Sequence, residues 1–111
     1  MTAMSWPQAL AWGLAAVFVV GFIINTFAVK MVGPEYRRWG YPDWFHFVTG
    51  GLELVAALLL PAMATRLIGV ALGLAIMLAA IVTVVWHHEY RRAAPPFVVF
   101  ILLLILGATA I

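Results

Sequence analysis

The 111-residue sequence has no cysteine and few charges. Without cysteine, the chain offers no disulfide, no thiolate ligand for a metal and no thiol nucleophile. Charged residues make up 9% of the chain, against about 25% in typical soluble domains. No Lys or Arg precedes the first apolar run, although a cleavable signal peptide has a basic region there. These absences argue against a soluble domain, a thiol enzyme and a secreted precursor.

Hydrophobic residues take the place of the missing charges. They account for 67% of the sequence, compared with roughly 45–50% in soluble domains. A chain of this size cannot hide so much apolar surface in its own core, because small domains bury a smaller fraction of their surface than large ones. The expected solvent is therefore lipid. The composition predicts an all-α integral membrane protein and gives no indication of nucleic-acid binding.

Four apolar segments predict four membrane-spanning helices in a single domain over residues 1–111. The segments are residues 8–29, 44–64, 67–86 and 95–111. Each is close to the roughly 20 residues that a spanning helix needs. The connections are short, and residues 30–43 form the longest expected loop. Short connections make consecutive helices antiparallel neighbours, so the predicted fold is an up-down four-helix bundle.

The basic residues predict an orientation in the membrane. Five lie in the first and third connections, at Lys30, Arg37, Arg38, Arg91 and Arg92. The second connection contributes one, Arg66. Because basic loops stay in the cytoplasm, both termini are predicted to be extracytoplasmic. Aromatic residues near the basic connections are expected to anchor the cytoplasmic interface; they are Tyr36, Trp39, Tyr41, Trp44, Trp86 and Tyr90.

Glu53 is the most informative polar residue. It lies about 14 Å along the second predicted helix from Trp44, near the middle of a roughly 30 Å apolar core. A carboxylate at that depth costs several kcal/mol unless it pairs or takes up a proton, so such residues tend to mark functional sites. The alternative is a protonated Glu that bonds a neighbouring helix as structural glue. His46 lies two turns earlier on the same helical face, although a histidine in that position is also compatible with a simple interfacial role.

Further polar residues fall in the same half of the predicted bundle. We predict a ligand-binding or proton site formed by Asn25, His46, Thr49, Glu53, Thr83 and His87. Hydroxyl groups in membrane helices often bond their own backbone, so Thr83 has this alternative role. No catalytic residue is identified, and the sequence leaves open whether the protein is an enzyme.

Two other motifs have more than one interpretation. His87 and His88 are adjacent, so on a helix they point about 100° apart and are poorly placed to share an ion; we expect no metal site and no haem here. Gly69 and Gly73 form a small-xxx-small pair, which favours close helix packing. That packing is compatible with contacts inside the bundle or with a homo-oligomer.

Residues 33–87 resemble the DoxX-like family of small membrane proteins. The residues that carry the resemblance are Gly40-Tyr41-Pro42, Trp44-Phe45, Gly50 or Gly51, Leu52-Glu53 and Pro61, followed by Arg66, Gly69 and Met77. The resemblance implies a four-helix bundle in a bacterial-type inner or cell membrane. It also implies a membrane-anchoring or quinone-proximal subunit of a redox-linked complex, with quinone as the candidate cofactor and a membrane or peripheral protein as the candidate partner.

Two other classes of function remain open. Four helices and one buried Glu are also found in small proton-coupled multidrug exporters, although their Glu lies on the first helix and the first segment here has no acidic residue. The chain is also compatible with a helix–helix interaction protein that assists assembly of a membrane partner. Substrate-dependent proton flux would favour the first class, and a tightly co-purifying partner would favour the second.

Overall fold

A computed structural model describes residues 5–111, and that part of the chain is entirely helical apart from its connections. The α-helices are α1 (Trp6–Phe27), α2 (Val29–Arg38), α3 (Phe45–Leu59), α4 (Arg66–Trp86) and α5 (Ala94–Ala110). A 3₁₀ turn, Tyr90–Ala93, leads into α5. No strand occurs in residues 5–111, so the predicted all-α class is confirmed.

Three helical stretches are long and apolar enough to cross a membrane. They are Trp6–Phe27, Arg66–Trp86 and Tyr90–Ala110. The remaining apolar helix, α3, has 15 residues, which is about 22 Å of helix. That length falls short of the roughly 30 Å apolar core of a bilayer. The fold therefore contains three candidate spans and one shorter apolar helix where the sequence predicts a fourth span.

Helix α3 ends earlier than predicted because of Pro61. The sequence predicts a helix over residues 44–64, whereas the structure ends it at Leu59. Proline has no N–H to continue the helical ladder, and its ring clashes with the carbonyl one turn back. The freed carbonyl groups find other donors: the Thr65 hydroxyl donates to the Leu59 carbonyl at 2.8 Å and Arg66 Nε donates to the Leu60 carbonyl at 2.9 Å.

Helix α2 occupies a segment predicted to be a loop. The Gly33-Pro34 pair favours a break in the chain, but the helix runs through it as Val29–Arg38. It ends in a Schellman motif: the Tyr41 N–H donates to the Tyr36 carbonyl at 2.9 Å and the Gly40 N–H donates to the Arg37 carbonyl at 3.0 Å. This motif needs a left-handed residue, and Gly40 has a φ of 88°. The resulting reversal brings the centre of the Tyr41 ring to 5.9 Å from that of Tyr36 on α2.

The four longer helices pack in a ring. Helix α1 contacts α3 and α5, and α4 contacts the same two helices from the other side. Their shared core is apolar, and its largest fully buried aliphatic and aromatic side chains are Leu14, Phe18, Leu60, Leu103 and Leu106. Large apolar side chains also cover the outside, among them Val20, Leu58, Ile68, Val82 and Leu104. An apolar exterior of this kind is suited to lipid.

Gly69 and Gly73 serve packing inside the chain. A Cβ on Gly69 would lie 3.0 Å from Leu59 Cβ, and one on Gly73 would lie 3.0 Å from both Phe18 Cζ and Leu103 Cδ1. Both glycines are buried, so neither offers a free surface for the homo-oligomer considered above. Gly69 lets α3 and α4 touch at one end. Towards the other end a cavity separates these two helices.

Candidate functional site

The cavity between α3 and α4 has a volume of about 370 Å³, near the lower end of the usual range for small-molecule sites. Helix α2 and the residues that follow it cover the end of the cavity that lies beside the basic connections. Its polar lining consists of Asn25, Glu35, Tyr36, Tyr41, Thr49, Glu53 and Thr83. Its apolar lining consists of Val32, Trp39, Phe45, Leu52, Leu72, Ala75, Ile76, Met77, Ala79 and Ala80.

Glu53 lies in the wall of this cavity and is bonded to α1. Glu53 is only 6% exposed, and Asn25 Nδ2 donates to its Oε1 at 2.8 Å. The same amide nitrogen donates to the Gly21 carbonyl at 3.0 Å. The Tyr36 hydroxyl donates to Asn25 Oδ1 at 2.9 Å. Both polar ends of the Asn25 amide are therefore occupied, and Tyr36, Asn25 and Glu53 form one chain of hydrogen bonds across α2, α1 and α3.

The close approach of α1 and α3 makes this chain of hydrogen bonds possible. A Cβ on Gly50 would lie 2.7 Å from Thr26 Oγ1 and 3.3 Å from Asn25 Cβ. Only a residue without a side chain lets the two helices meet at this level. Gly50 therefore helps to bring Asn25 within reach of Glu53.

His46 is buried behind the site and does not line the cavity. It is 2% exposed, and its Nδ1 lies 2.7 Å from the Asn25 carbonyl oxygen. Because a carbonyl only accepts, Nδ1 carries the proton in this bond. His46 thus fixes the backbone of Asn25 and does not face a ligand alongside Glu53. Both residues face inward, but His46 is not among the residues that line the cavity.

Thr83 and His87 have different places as well. The Thr83 hydroxyl donates to the Ala79 carbonyl at 2.7 Å and lies 2.6 Å from the Tyr41 hydroxyl, from which it accepts. Thr83 thus lines the cavity and also makes the backbone bond considered as its alternative role. His87 Nδ1 donates to the Thr83 carbonyl at 2.8 Å and lies outside the cavity. Of the six predicted site residues, those that line the cavity are Asn25, Thr49, Glu53 and Thr83.

Three aromatic residues of the site were predicted to be interface anchors. Tyr36, Trp39 and Tyr41 turn inward and line the cavity. Burial raises the pKa of the Tyr36 phenol, so this group stays a neutral donor. The signal was present in the apolar spacing of Val32, Tyr36 and Trp39, which matches one face of a helix. The other predicted anchors are exposed, as expected; they are Trp44, Trp86 and Tyr90.

A charged cluster fastens α2 to the connection between α4 and α5. Glu89 Oε2 accepts from Trp39 Nε1 at 2.6 Å, and its Oε1 accepts from Arg38 at 2.6 Å and from Arg92 at 3.2 Å. Arg92 also pairs with Glu35. The hydrogen bond from Trp39, together with Arg92 and Arg38, holds the pKa of the Glu89 carboxyl below its ordinary value. We call Glu35, Arg38, Trp39, Glu89 and Arg92 the latch.

The end of α4 presents Glu89 to this cluster. The Glu89 N–H donates to the Val84 carbonyl at 2.8 Å and the His88 N–H donates to the Val85 carbonyl at 3.0 Å, which is a second Schellman motif. His88 occupies its left-handed position with a φ of 59°. The His-His-Glu sequence therefore terminates a helix. No group of three or more His, Asp or Glu residues suited to a metal ion occurs within residues 5–111.

Comparison with known proteins places the chain in a family. No curated protein and no solved structure matches it. The model of the DoxX-like family matches residues 9–106, which extends the resemblance seen over residues 33–87 in both directions. Together with the three long apolar helices, this match covers most of the described fold. The chain is a small membrane protein and belongs to the DoxX-like family.

Proposed function

We propose that this protein is a membrane-embedded subunit that binds a quinone-type molecule in the cavity beside Glu53, within a redox-linked complex. The observation that carries the proposal is the position of Glu53. Its buried carboxyl group lies in the wall of an otherwise largely apolar cavity and ends a hydrogen-bond chain that starts at Tyr36. Small-molecule sites commonly combine apolar walls with a few fixed polar groups.

The site residues take different roles in this proposal. Glu53 faces the ligand: as a neutral acid it donates to a quinone carbonyl, and as a carboxylate it accepts from a hydroquinone hydroxyl. Thr49 lines the cavity beside Tyr36, and its hydroxyl makes a long 3.4 Å hydrogen bond to the Phe45 carbonyl. Asn25 holds Glu53, and His46 holds Asn25. Electrons would come from the partner subunit, while this chain binds the ring and handles its protons.

The proposal includes four membrane crossings with both termini outside the cytoplasm. Helix α3 together with residues 60–65 makes the fourth crossing. The basic residues of α2 and of the 3₁₀ turn lie at one end of the molecule, since Arg38 and Arg92 both reach Glu89. Arg66, at the other end, is 3% exposed and bonded to Gln8 and Pro61. A reporter active only in the cytoplasm, fused after Ile111, should be silent; activity there would reverse the orientation.

Two alternatives rest on the same residue. The bond from Asn25 to Glu53 joins α1 to α3, which is also what structural glue in a helix–helix interaction protein would do. A buried carboxyl group beside a cavity is also compatible with a proton-coupled transporter. A partner that co-purifies whether or not Glu53 is present would favour the interaction protein. Substrate-driven proton flux in vesicles would favour the transporter.

The binding of quinone can be tested on protein taken from its native membrane. Wild-type protein purified in native nanodiscs should be enriched in quinone over the bulk lipid, and Glu53→Leu should remove the enrichment. Leu58→Ala is a matched control, because Leu58 lies on the same helix and is 71% exposed. Equal quinone content in all three samples would contradict the proposal.

A further inference from the structure

The cavity has two boundaries that differ in kind. At the headgroup end it is covered by Tyr36, Trp39 and Tyr41. Trp39 is held by the 2.6 Å bond to Glu89, and both Arg38 and Arg92 lie 5.5 Å from the centre of its ring. Arg92 also pairs with Glu35 on the same covering helix. The latch therefore closes the cavity on the side from which a water-soluble molecule would arrive.

The side between α3 and α4 is open. Leu52 on α3 lines the cavity and is 41% exposed. On the facing helix, Ala75 and Ala79 line the cavity and are exposed as well. The two helices touch at Gly69, and the cavity separates them towards the other end. Small side chains on α4 leave the gap unfilled, and the surface around it consists of the apolar, lipid-facing sides of both helices.

We propose that the ligand enters sideways from the lipid through the mouth formed by Leu52, Ala75 and Ala79. The site therefore selects an uncharged, membrane-dissolved molecule with a compact polar ring and an apolar chain. This inference rests on the proposed function and adds the route by which the ligand enters. The mouth is apolar on both sides, so a permanently charged molecule would lose its hydration there without gaining a partner.

The size of the cavity supports a ring with a chain left outside. A volume of about 370 Å³ is near the low end of the range for sites that enclose a whole drug-sized ligand. The ring would lie between Glu53 and the stacked pair Tyr41 and Phe45, whose ring centres are 4.7 Å apart at 11°. The chain would pass between Leu52 and Ala79 into the lipid.

The test uses two benzoquinone probes with the same ring. One carries a decyl chain, and the other carries a sulfonated chain that cannot enter a bilayer. Binding of the radiolabelled decyl probe is measured on the full chain in nanodiscs, with the sulfonated probe as competitor. We expect the decyl probe to bind and the sulfonated probe not to compete. Equal competition by the sulfonated probe would overturn the lateral route while leaving quinone binding intact.

Substitutions at the mouth make the test specific. Ala79→Leu should weaken decyl-quinone binding about tenfold, which is on the order of 1.4 kcal/mol, because the larger side chain would fill the open mouth. Ala71→Leu is the matched control: Ala71 is an exposed alanine on the same helix that does not line the cavity. It should leave binding within about twofold of the wild type, a difference well under 1.4 kcal/mol.

A second variant guards against misfolding of the first. Leu52→Trp narrows the mouth from α3 and should weaken binding in the same direction, with helix content by circular dichroism unchanged in both variants. Wild-type affinity in both Ala79→Leu and Leu52→Trp would overturn the proposed mouth. Failure of the wild type itself to bind either probe would overturn the proposed function, and the lateral route with it.

Discussion

Glu53 Oε2 occupies the space that a side chain at position 21 would need. A Cβ built on Gly21 would lie 1.5 Å from that oxygen and 2.6 Å from the carboxyl carbon. The carboxyl group of α3 therefore packs directly on the backbone of α1. Gly21 thus determines whether Glu53 can reach Asn25, whose Nδ2 bonds both the Gly21 carbonyl and Glu53 Oε1.

Gly21→Ala should displace Glu53 and destabilise the protein. Inserting a methyl group into a closely packed site costs about 1–3 kcal/mol, and the Asn25–Glu53 bond would be lost in addition. The measurement is unfolding by SDS in mixed micelles. Gly13→Ala is the matched control, since a Cβ there meets nothing within 4 Å; it should be neutral or stabilising by up to about 1 kcal/mol.

A double variant separates packing from a general effect on α1. In Gly21→Ala combined with Glu53→Ala, the clashing carboxyl group is absent. The double variant should then lose less unfolding free energy than the sum of the losses in the two single variants, because the residues are in direct contact. Full additivity would contradict the contact.

Tyr36→Phe should weaken the hydrogen-bond chain at its other end. The Tyr36 hydroxyl is the donor to Asn25 Oδ1 at 2.9 Å, and a buried acceptor left without a donor costs about 1–3 kcal/mol. Tyr90→Phe removes an exposed hydroxyl bonded to His88 and should cost much less. The comparison is made by SDS unfolding together with decyl-quinone binding, and equal effects of the two variants would argue against a role for Tyr36 in the site.

Acid should release the latch. The folded-state pKa of Glu89 is lowered by the hydrogen bond from Trp39 and by Arg92 and Arg38. A lowered carboxyl pKa contributes stability above the unfolded-state value, about 4.5, and that contribution is lost as the pH falls through the folded-state pKa. The charged groups that face Glu89 are Arg38 and Arg92, with Glu35 on the far side of Arg92.

Trp39 reports this transition. Its fluorescence should change below pH 4.5 as its indole N–H loses the carboxylate, and 1 M salt should weaken the latch at neutral pH by screening the exposed ion pairs. In Glu89→Gln the acid transition should disappear. Subtracting the fluorescence of this variant from that of the wild type removes the contribution of the other tryptophans. An unchanged acid transition in Glu89→Gln would assign it to a different group.

Arg66 should stabilise the protein mainly through its hydrogen bonds at the end of α3, and much less through its charge. Its guanidinium donates to the Leu60 and Pro61 carbonyls and to Gln8 Oε1. Arg66→Met leaves the Leu60 carbonyl and Gln8 Oε1 without this donor, whereas the Pro61 carbonyl keeps Gln8 Nε2, and it should cost about 2 kcal/mol in SDS unfolding. Arg66→Lys should recover only part of it, because an ammonium group lacks the planar fork. Arg91→Met, at an exposed arginine, should be nearly neutral; a cost equal to that of Arg66→Met would point to charge alone.

The sequence predicts which sides of the helices face inward but not what covers them. Helical spacing correctly places His46 and Glu53 on one buried face. It gives no information about depth or about neighbouring helices, so it cannot show that the Asn25 backbone lies over His46. On the opposite side of the same helix, Leu52 and Val55 are exposed, whereas Leu59 is partly buried against Gly69, a contact that depends on how closely α3 and α4 approach.

The largest difference lies in residues 29–41. Gly33 and Pro34 indicate a break, and the aromatic residues nearby are typical of an interface belt. In the structure, however, α2 continues through Gly33 and Pro34 as an amphipathic helix and ends at the left-handed Gly40. Tyr36 and Tyr41 therefore line the cavity. Local propensity is a weak predictor where tertiary packing can bury an amphipathic face. Polarity and depth in the sequence already grouped Asn25, Thr49, Glu53 and Thr83, which line the cavity, whereas the aromatic wall depends on this short helix.

Glu53→Gln should separate the two roles of the carboxyl group. The glutamine amide has the same shape as the carboxyl group. Its oxygen can replace Glu53 Oε1 as the acceptor for Asn25 Nδ2. Unfolding by SDS should therefore stay within about 0.5 kcal/mol of the wild type, which is the scale of a substitution that breaks no buried contact. Glu53→Ala removes the acceptor and leaves a void between α1 and α3, so it should cost about 2 kcal/mol or more.

Proton handling should respond differently. An amide cannot take up or release a proton, so in Glu53→Gln the two protons that a quinone takes up on two-electron reduction must reach it by another route, and reduction should be slower although the site is intact. The measurement compares decyl-quinone binding, which should persist, with the rate of proton uptake in weakly buffered nanodiscs when an added chemical reductant reduces the bound quinone, which should fall. Wild-type proton exchange in Glu53→Gln would make the carboxyl group a structural contact between α1 and α3. The interaction-protein alternative would then be the better account of this chain.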